Sequence, residues 1–187
     1  MPELQDLHGQ AMAEFDRRVR AVRATQWADP TPCTKWDVHD LVAHLVREQL
    51  WVPHLLAGCA VEEIGDRFEG DVLGEEPVTV WEVASREARA AWLQPSAQDR
   101  TVHLSAGDAP GSVYLWEMTF DLAVHAWDLA RAIGADEAID PDLTAALLAW
   151  VGEEGMAGAN GLFAPPVHVP EDADPLIRLL ALTGRHG

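Results

Sequence analysis

The stretch Ser112-Val113-Tyr114-Leu115-Trp116-Glu117-Met118-Thr119-Phe120-Asp121-Leu122-Ala123-Val124-His125-Ala126-Trp127-Asp128-Leu129-Ala130-Arg131-Ala132-Ile133 decides the fold. It contains no proline, and Gly134 follows where a helix closes in the left-handed conformation. Leu115, Met118, Phe120, Leu122, Val124, Ala126, Trp127, Leu129 and Ala130 would clothe most of the cylinder in apolar surface. A helix this apolar belongs inside a bundle. Yet Glu117, Asp121, His125 and Asp128 recur at intervals of four, four and three, and so form one ridge along it. Buried polar charge is costly unless it is paired or binds a metal.

A second helix carries a matching pair. Asp37 is its expected N-cap, Gly58 follows its expected end near Ala57, and Leu41, His44, Leu45, Glu48, Val52 and Leu55 fall on its inward face. Pro53 should kink this helix or end it early. His44 stacks with Glu48 just as Asp121 stacks with His125. Bundles build metal sites from inward side chains on facing helices. Imidazole nitrogen with carboxylate oxygen suits zinc, and also iron, nickel or manganese. On spacing alone a plainer reading stands beside this one: a hydrogen-bonded histidine, Asp128 paired to Arg131, and Glu117 placed near a helix start.

Outward from these two helices, residues 3–27 carry Leu7, Met12, Phe15, Val19 and Val22 at helical intervals, until Asp29-Pro30-Thr31-Pro32-Cys33 breaks the pattern. Residues 65–77 read as a Gly-rich acidic loop. Thr79-Val80-Trp81-Glu82 fits a capping box for a helix reaching about Leu93. Thr101–Leu104 is expected to be extended, followed by a turn cluster over residues 107–111. Asp140-Pro141 opens a fifth helix to about Gly155, Pro165–Pro170 is extended, and Asp174-Pro175 opens a last short helix that ends at Gly184. Long helices joined by irregular loops predict an all-α bundle over residues 1–187 as a single domain.

Thirteen basic residues against 31 acidic ones leave a formal charge of −18, a field that repels nucleic-acid phosphates and anionic lipid. No apolar run is long enough for a membrane span, and the start Met1-Pro2-Glu3-Leu4 is not that of a secretory signal. The two cysteines, Cys33 and Cys59, make no disulfide framework. A cytoplasmic protein with reduced thiols is the expectation.

Two segments carry a family likeness. Thr31-Pro32-Cys33-Thr34-Lys35-Trp36-Asp37-Val38-His39-Asp40-Leu41-Val42-Ala43-His44-Leu45 and residues 120–132, Phe-Asp-Leu-Ala-Val-His-Ala-Trp-Asp-Leu-Ala-Arg-Ala, resemble the two signatures of an actinobacterial metal-binding family. That family is related to the N-terminal domain of mycothiol-dependent maleylpyruvate isomerase, within the DinB-like superfamily. The ending, residues 164–167 with 179–185, is similar too. The resemblance implies a DinB-like four-helix bundle with additional short helices and loops. It implies a divalent-metal site made by His44, Asp121 and His125, zinc first, opening to a pocket. Asp121 is shorter by one methylene than the glutamate found there in the isomerase. Glu48 is left beside the metal, to support a ligand from behind or to act as a base.

The isomerase of this family carries a further C-terminal domain, so maleylpyruvate isomerisation itself is not the expectation here. The resemblance implies instead a metal-dependent enzyme that uses a low-molecular-weight thiol, mycothiol first, for transfer to or isomerisation of a small electrophile. Its partners would be that thiol and the electrophile. A metal favours thiolate over thiol and so provides a nucleophile at neutral pH. The alternatives are a hydrolase or lyase using metal-bound water, or a non-catalytic metal-binding bundle. Cys33 and Cys59 read as packing residues, as do Trp36 and Trp127. His39 and His54 lie off His44's face, and His8 and His186 lie near the chain ends. His103 and His168 sit in extended pieces that would cross a pocket mouth. Motifs for metalloprotease, serine-hydrolase, phosphate-loop or dinucleotide chemistry are missing.

Overall fold

The computed structural model describes residues 3–154 and 164–187. They divide into two compact units, Met1–Glu137 and Ala138–Gly187. The first holds four long helices, α1 (Leu4–Val19), α2 (Val38–Leu56), α4 (Pro77–Trp92) and α5 (Gly111–Ile133), with the short α3 (Val61–Ile64) between α2 and α4. An antiparallel hairpin of β1 (Thr101–Leu104) and β2 (Gly107–Pro110) leads into α5. The fold is the expected all-α bundle, with the hairpin as its one sheet among the described residues.

Three of the four long helices bury one stripe each. Leu7, Ala11, Phe15 and Val19 of α1, Leu41, Leu45 and Val52 of α2, and Trp81, Ala84, Ala88 and Trp92 of α4 are almost wholly enclosed. α5 is enclosed nearly all round, as its composition predicts. Helix α1 runs antiparallel to α4, since Gln5 Nε2 donates to the Trp92 carbonyl and Trp81 Nε1 donates to Asp16.

Helices depart from expectation in several places, although α2 ends beside Ala57 as expected. Helix α1 stops at Val19 instead of near residue 27, because the following turn serves another helix end. There the buried Gln26 carboxamide donates to the Ile133 carbonyl at 3.0 Å, one of the carbonyls left unpaired at the α5 terminus. Helix α2 continues through Pro53 to Leu56, since the lost N–H falls in the last turns, where Ala57 and Gly58 N–H groups bond Pro53 and Leu55 carbonyls. Helix α4 begins at Pro77, with proline in its first turn, so Thr79 lies inside it and caps nothing. Asp37 caps α2 as expected, in a reciprocal box with Asp40, and Gly134 closes α5 at φ 68°.

In the second unit, α6 (Pro141–Glu154) starts from Asp140, whose carboxylate accepts from Asp142 and Leu143 N–H. The expected end at Gly155 lies outside the described residues. The final helix α7 (Pro175–Ala181) is capped by Asp174, ends before Gly184, and is tied back by Val167 N–H donating to the Ala181 carbonyl. No helix among the described residues is long and apolar enough to cross a membrane.

Candidate metal centre

The ridge on α5 descends from solvent into the core. Glu117 is exposed and Asp121 is half-buried, while His125 and Asp128 are enclosed. Helix α2 lies antiparallel to α5 here and brings His44 across to meet it. His44 Nε2 stands 3.1 Å from Asp121 Oδ2, and His125 Nε2 stands 3.2 Å from Asp121 Oδ1. One donor atom from each of the three residues falls within 4.8 Å of the others. Two donors on one zinc-sized ion, each about 2.1 Å from it, stand about 3.0–3.4 Å apart, and each imidazole keeps that spacing to its own oxygen of Asp121.

The electrostatics fit as well. Burial alone would push the Asp121 carboxyl up, but His125 and His44 hold it far below the usual carboxylate range. Burial would likewise push the His125 imidazole down, but the charge of Asp121 and hydrogen bonds with Asp121, Asp128 and Cys33, both carboxylates accepting, hold it well above its ordinary value. A carboxylate between two imidazoles thus shares positive charge tightly. A divalent cation among these three side chains would take the place of those protons.

Behind His125 sits its support. The Nδ1 atom is 2.9 Å from Asp128 Oδ2, and Asp128 is fully enclosed. Such a carboxylate fixes the tautomer and orientation of a ligating histidine. Cys33 Sγ donates to the same Asp128 oxygen at 3.3 Å and lies 3.8 Å from His125 Nδ1. Cys33 is therefore part of the hydrogen-bonded support instead of the simple packing residue its sequence indicated. Trp36 also departs from expectation. Its ring lies 4.8 Å from His44 and 5.7 Å from His125, centroid to centroid, and so walls the site. Both residues belong to the loop motif before α2, whose reach to α5 lay hidden in the sequence.

Glu48 lies one turn along α2, with Oε1 4.0 Å from His44 Nδ1. Desolvation raises its pKa, against the pull of His44. Other candidates fall elsewhere. His103 sits on the hairpin, 2.7 Å from Asp108 across the strand pair, and His168 belongs to the second unit. Trp127 packs beneath the Arg131 guanidinium, 4.3 Å from the ring centroid. The Asp37, His39 and Asp40 donors also cluster, but both carboxylates there are used in capping α2. His8, expected near a loose end, is fully buried in α1.

Comparison with known proteins places the chain in a family. Two uncharacterized proteins, from two strains of Mycobacterium tuberculosis, are each 31% identical over 182 residues, 95% of this chain and 95% of theirs. Crystal structures of the mycothiol-dependent maleylpyruvate isomerase and of its histidine-to-alanine mutant share the fold. Their TM-scores are 0.65 and 0.64 at 18% and 16% identity, over 85% of this chain and 73% of theirs. Residues 8–130 match the family described as the mycothiol maleylpyruvate isomerase N-terminal domain, a span that includes His44, Asp121, His125 and Asp128. The chain belongs to that family.

Proposed function

We propose that this protein is a metal-dependent cytoplasmic enzyme, working as one domain over residues 1–187. It uses a low-molecular-weight thiol, mycothiol first, for transfer to or isomerisation of a small electrophile. The observation that carries the reading is the meeting of His44, Asp121 and His125 donor atoms within 4.8 Å. Family membership supports the thiol. His44, Asp121 and His125 would hold the cation, zinc by donor type, with nickel, iron and manganese as the alternatives. Bound there, such a cation stabilises a thiolate at neutral pH.

The residues around it have separate tasks. Asp128 accepts the Nδ1 proton of His125 and leaves Nε2 facing Asp121. Trp36 keeps water from one side of the two imidazoles. Glu48, beside His44, is placed to take the proton released by the thiol.

Incubating purified, metal-loaded protein with mycothiol and an electrophilic fluorophore tests the reading. Conjugate should form faster than without protein, and His125→Ala should abolish the acceleration. Stoichiometric metal without conjugation would transfer the weight to a hydrolytic or a non-catalytic bundle.

A further inference from the structure

We propose that the seam between α1 and α4 holds a second binding site, separate from the metal centre, in which Arg86 and Arg89 take the carboxylate of a small monoanion with an apolar body. The two helices run antiparallel in a fixed register: Gln5 meets Trp92, His8 meets Arg89 and Asp16 meets Trp81. An open groove of about 290 Å³ follows this seam, and Arg86 and Arg89 both line it, with Gly9, Met12, Ala13 and Trp81. The space comes from small side chains, Gly9 and Ala13 one turn apart on α1 and Ser85 across from them on α4. Helix α1 packs chiefly on α5, and α4 chiefly on α2. This seam and the α2–α5 seam that carries His44 and Asp121 are therefore opposite faces of the bundle.

Charge is divided along the groove. At one end Asp16 is already served, with Trp81 Nε1 donating to one oxygen and Arg20 Nε to the other, and Arg20 also pairs with Glu82. At the other end, about 10 Å away by helical rise, stands the Arg89 guanidinium, with Arg86 one turn before it on α4. Arg17, Arg18, Arg20 and Arg131 all have carboxylate partners. Among the described residues Arg86 and Arg89 form no ion pair, in a chain with 31 acidic residues against 13 basic ones. Arg89 is also held in place. Its Nη1 donates to His8 Nδ1 at 3.3 Å, and its Nη2 lies over Gly9, 3.1 Å from where a Cβ would stand. This half-buried guanidinium has its pKa lowered by desolvation, against the charge of Asp6, which raises it. A cation partly withdrawn from water, with no carboxylate in contact, is what an anionic ligand relieves.

The surroundings narrow the ligand. A planar carboxylate matches the guanidinium fork. Asp6 acts on Arg89, Asp16 lines the groove, and the chain carries a formal charge of −18, so every further negative charge on a ligand is repelled. A monoanion is favoured over a phosphate dianion. Met12, Ala13 and Trp81 border the groove beside the arginines and suit an apolar body. The volume lies at the lower limit for ligand pockets, which fits a body the size of one aromatic ring. The site does not depend on the function proposed above, because no ligand seated here touches the metal centre.

The probe is benzoate, added at constant ionic strength to the full-length protein with and without zinc. The Trp81 indole N–H, assigned through its contacts with the Phe15 ring, is followed by nuclear magnetic resonance. We expect a saturable shift of that resonance, the same in both preparations, and an affinity reduced roughly three- to tenfold in Arg86→Gln and in Arg89→Gln. Arg86 is exposed, so its replacement leaves the core undisturbed and a loss of binding there is not a loss of fold. Benzamide, which keeps the shape without the charge, and inorganic phosphate should both bind more weakly. No saturable shift, a shift that requires zinc, unchanged affinity in either variant, or benzamide or phosphate binding as tightly as benzoate would each overturn the proposal.

Discussion

His125 turns its Nδ1 to Asp128 Oδ2 at 2.9 Å, deep in the bundle, and thereby points Nε2 at Asp121. The three-residue interval between them on α5 makes this contact local, while the thiol of Cys33 arrives from the loop before α2 to share the same oxygen. The site is thus supported from behind by a carboxylate that has no exposure of its own.

Asp128→Asn should therefore weaken metal binding with all three proposed ligands intact. A supporting carboxylate of this type is typically worth about ten- to a hundredfold in affinity. Competition against a chelator of known affinity measures the change. Cys33→Ala, which removes one donor to Asp128, should have the smaller effect, and equal affinities in all three proteins would remove Asp128 from this role.

His8 should make stability fall in mild acid. Its folded-state pKa is lowered to about 3 by burial first and by Arg89 second, against 6.5 for the ordinary side chain. Below pH 6.5 the unfolded chain takes up a proton that the folded chain refuses, so this contribution is complete above 6.5 and declines as the pH falls toward 3. Between pH 6.5 and 4.5 the loss is roughly 2–3 kcal/mol. Urea unfolding at the two pH values should give His8→Leu a correspondingly smaller drop than wild type. Parallel drops would mean that His8 is protonated in the fold.

Gly111 should not tolerate a side chain. A Cβ there would lie 2.5 Å from the Ala97 carbonyl oxygen and 3.1 Å from that of Arg100, both backbone atoms. The Gly111 N–H already donates to Arg100 at 2.6 Å, which fixes the start of α5 against the preceding turn. Gly111→Ala should cost about 1–3 kcal/mol, read by thermal or urea unfolding. An unchanged midpoint would mean that this turn moves freely.

Much of the site was legible because helical spacing is a local property. Asp121 and His125 share a face by their interval alone, and the apolar neighbours of both place that face in the bundle. His44 was legible as a partner because it lies on an inward stripe of a second helix. The contacts of Cys33 and Trp36 were not, since Cys33 lies 92 and 95 residues from His125 and Asp128. His8 was misjudged from its nearness to the chain start, although it shares a helical face with the buried Ala11, Met12 and Phe15. The early stop of α1 was hidden too, because it depends on Gln26 meeting a carbonyl 107 residues away.

Metal content of untagged protein, purified without chelator and measured by mass spectrometry, tests the central claim most directly. Wild type should carry about one equivalent of divalent metal per chain, and His44→Ala, Asp121→Ala and His125→Ala should each carry almost none. Full occupancy in the His125→Ala protein, or a folded wild type that takes up none of zinc, nickel, iron or manganese on reconstitution, would contradict it.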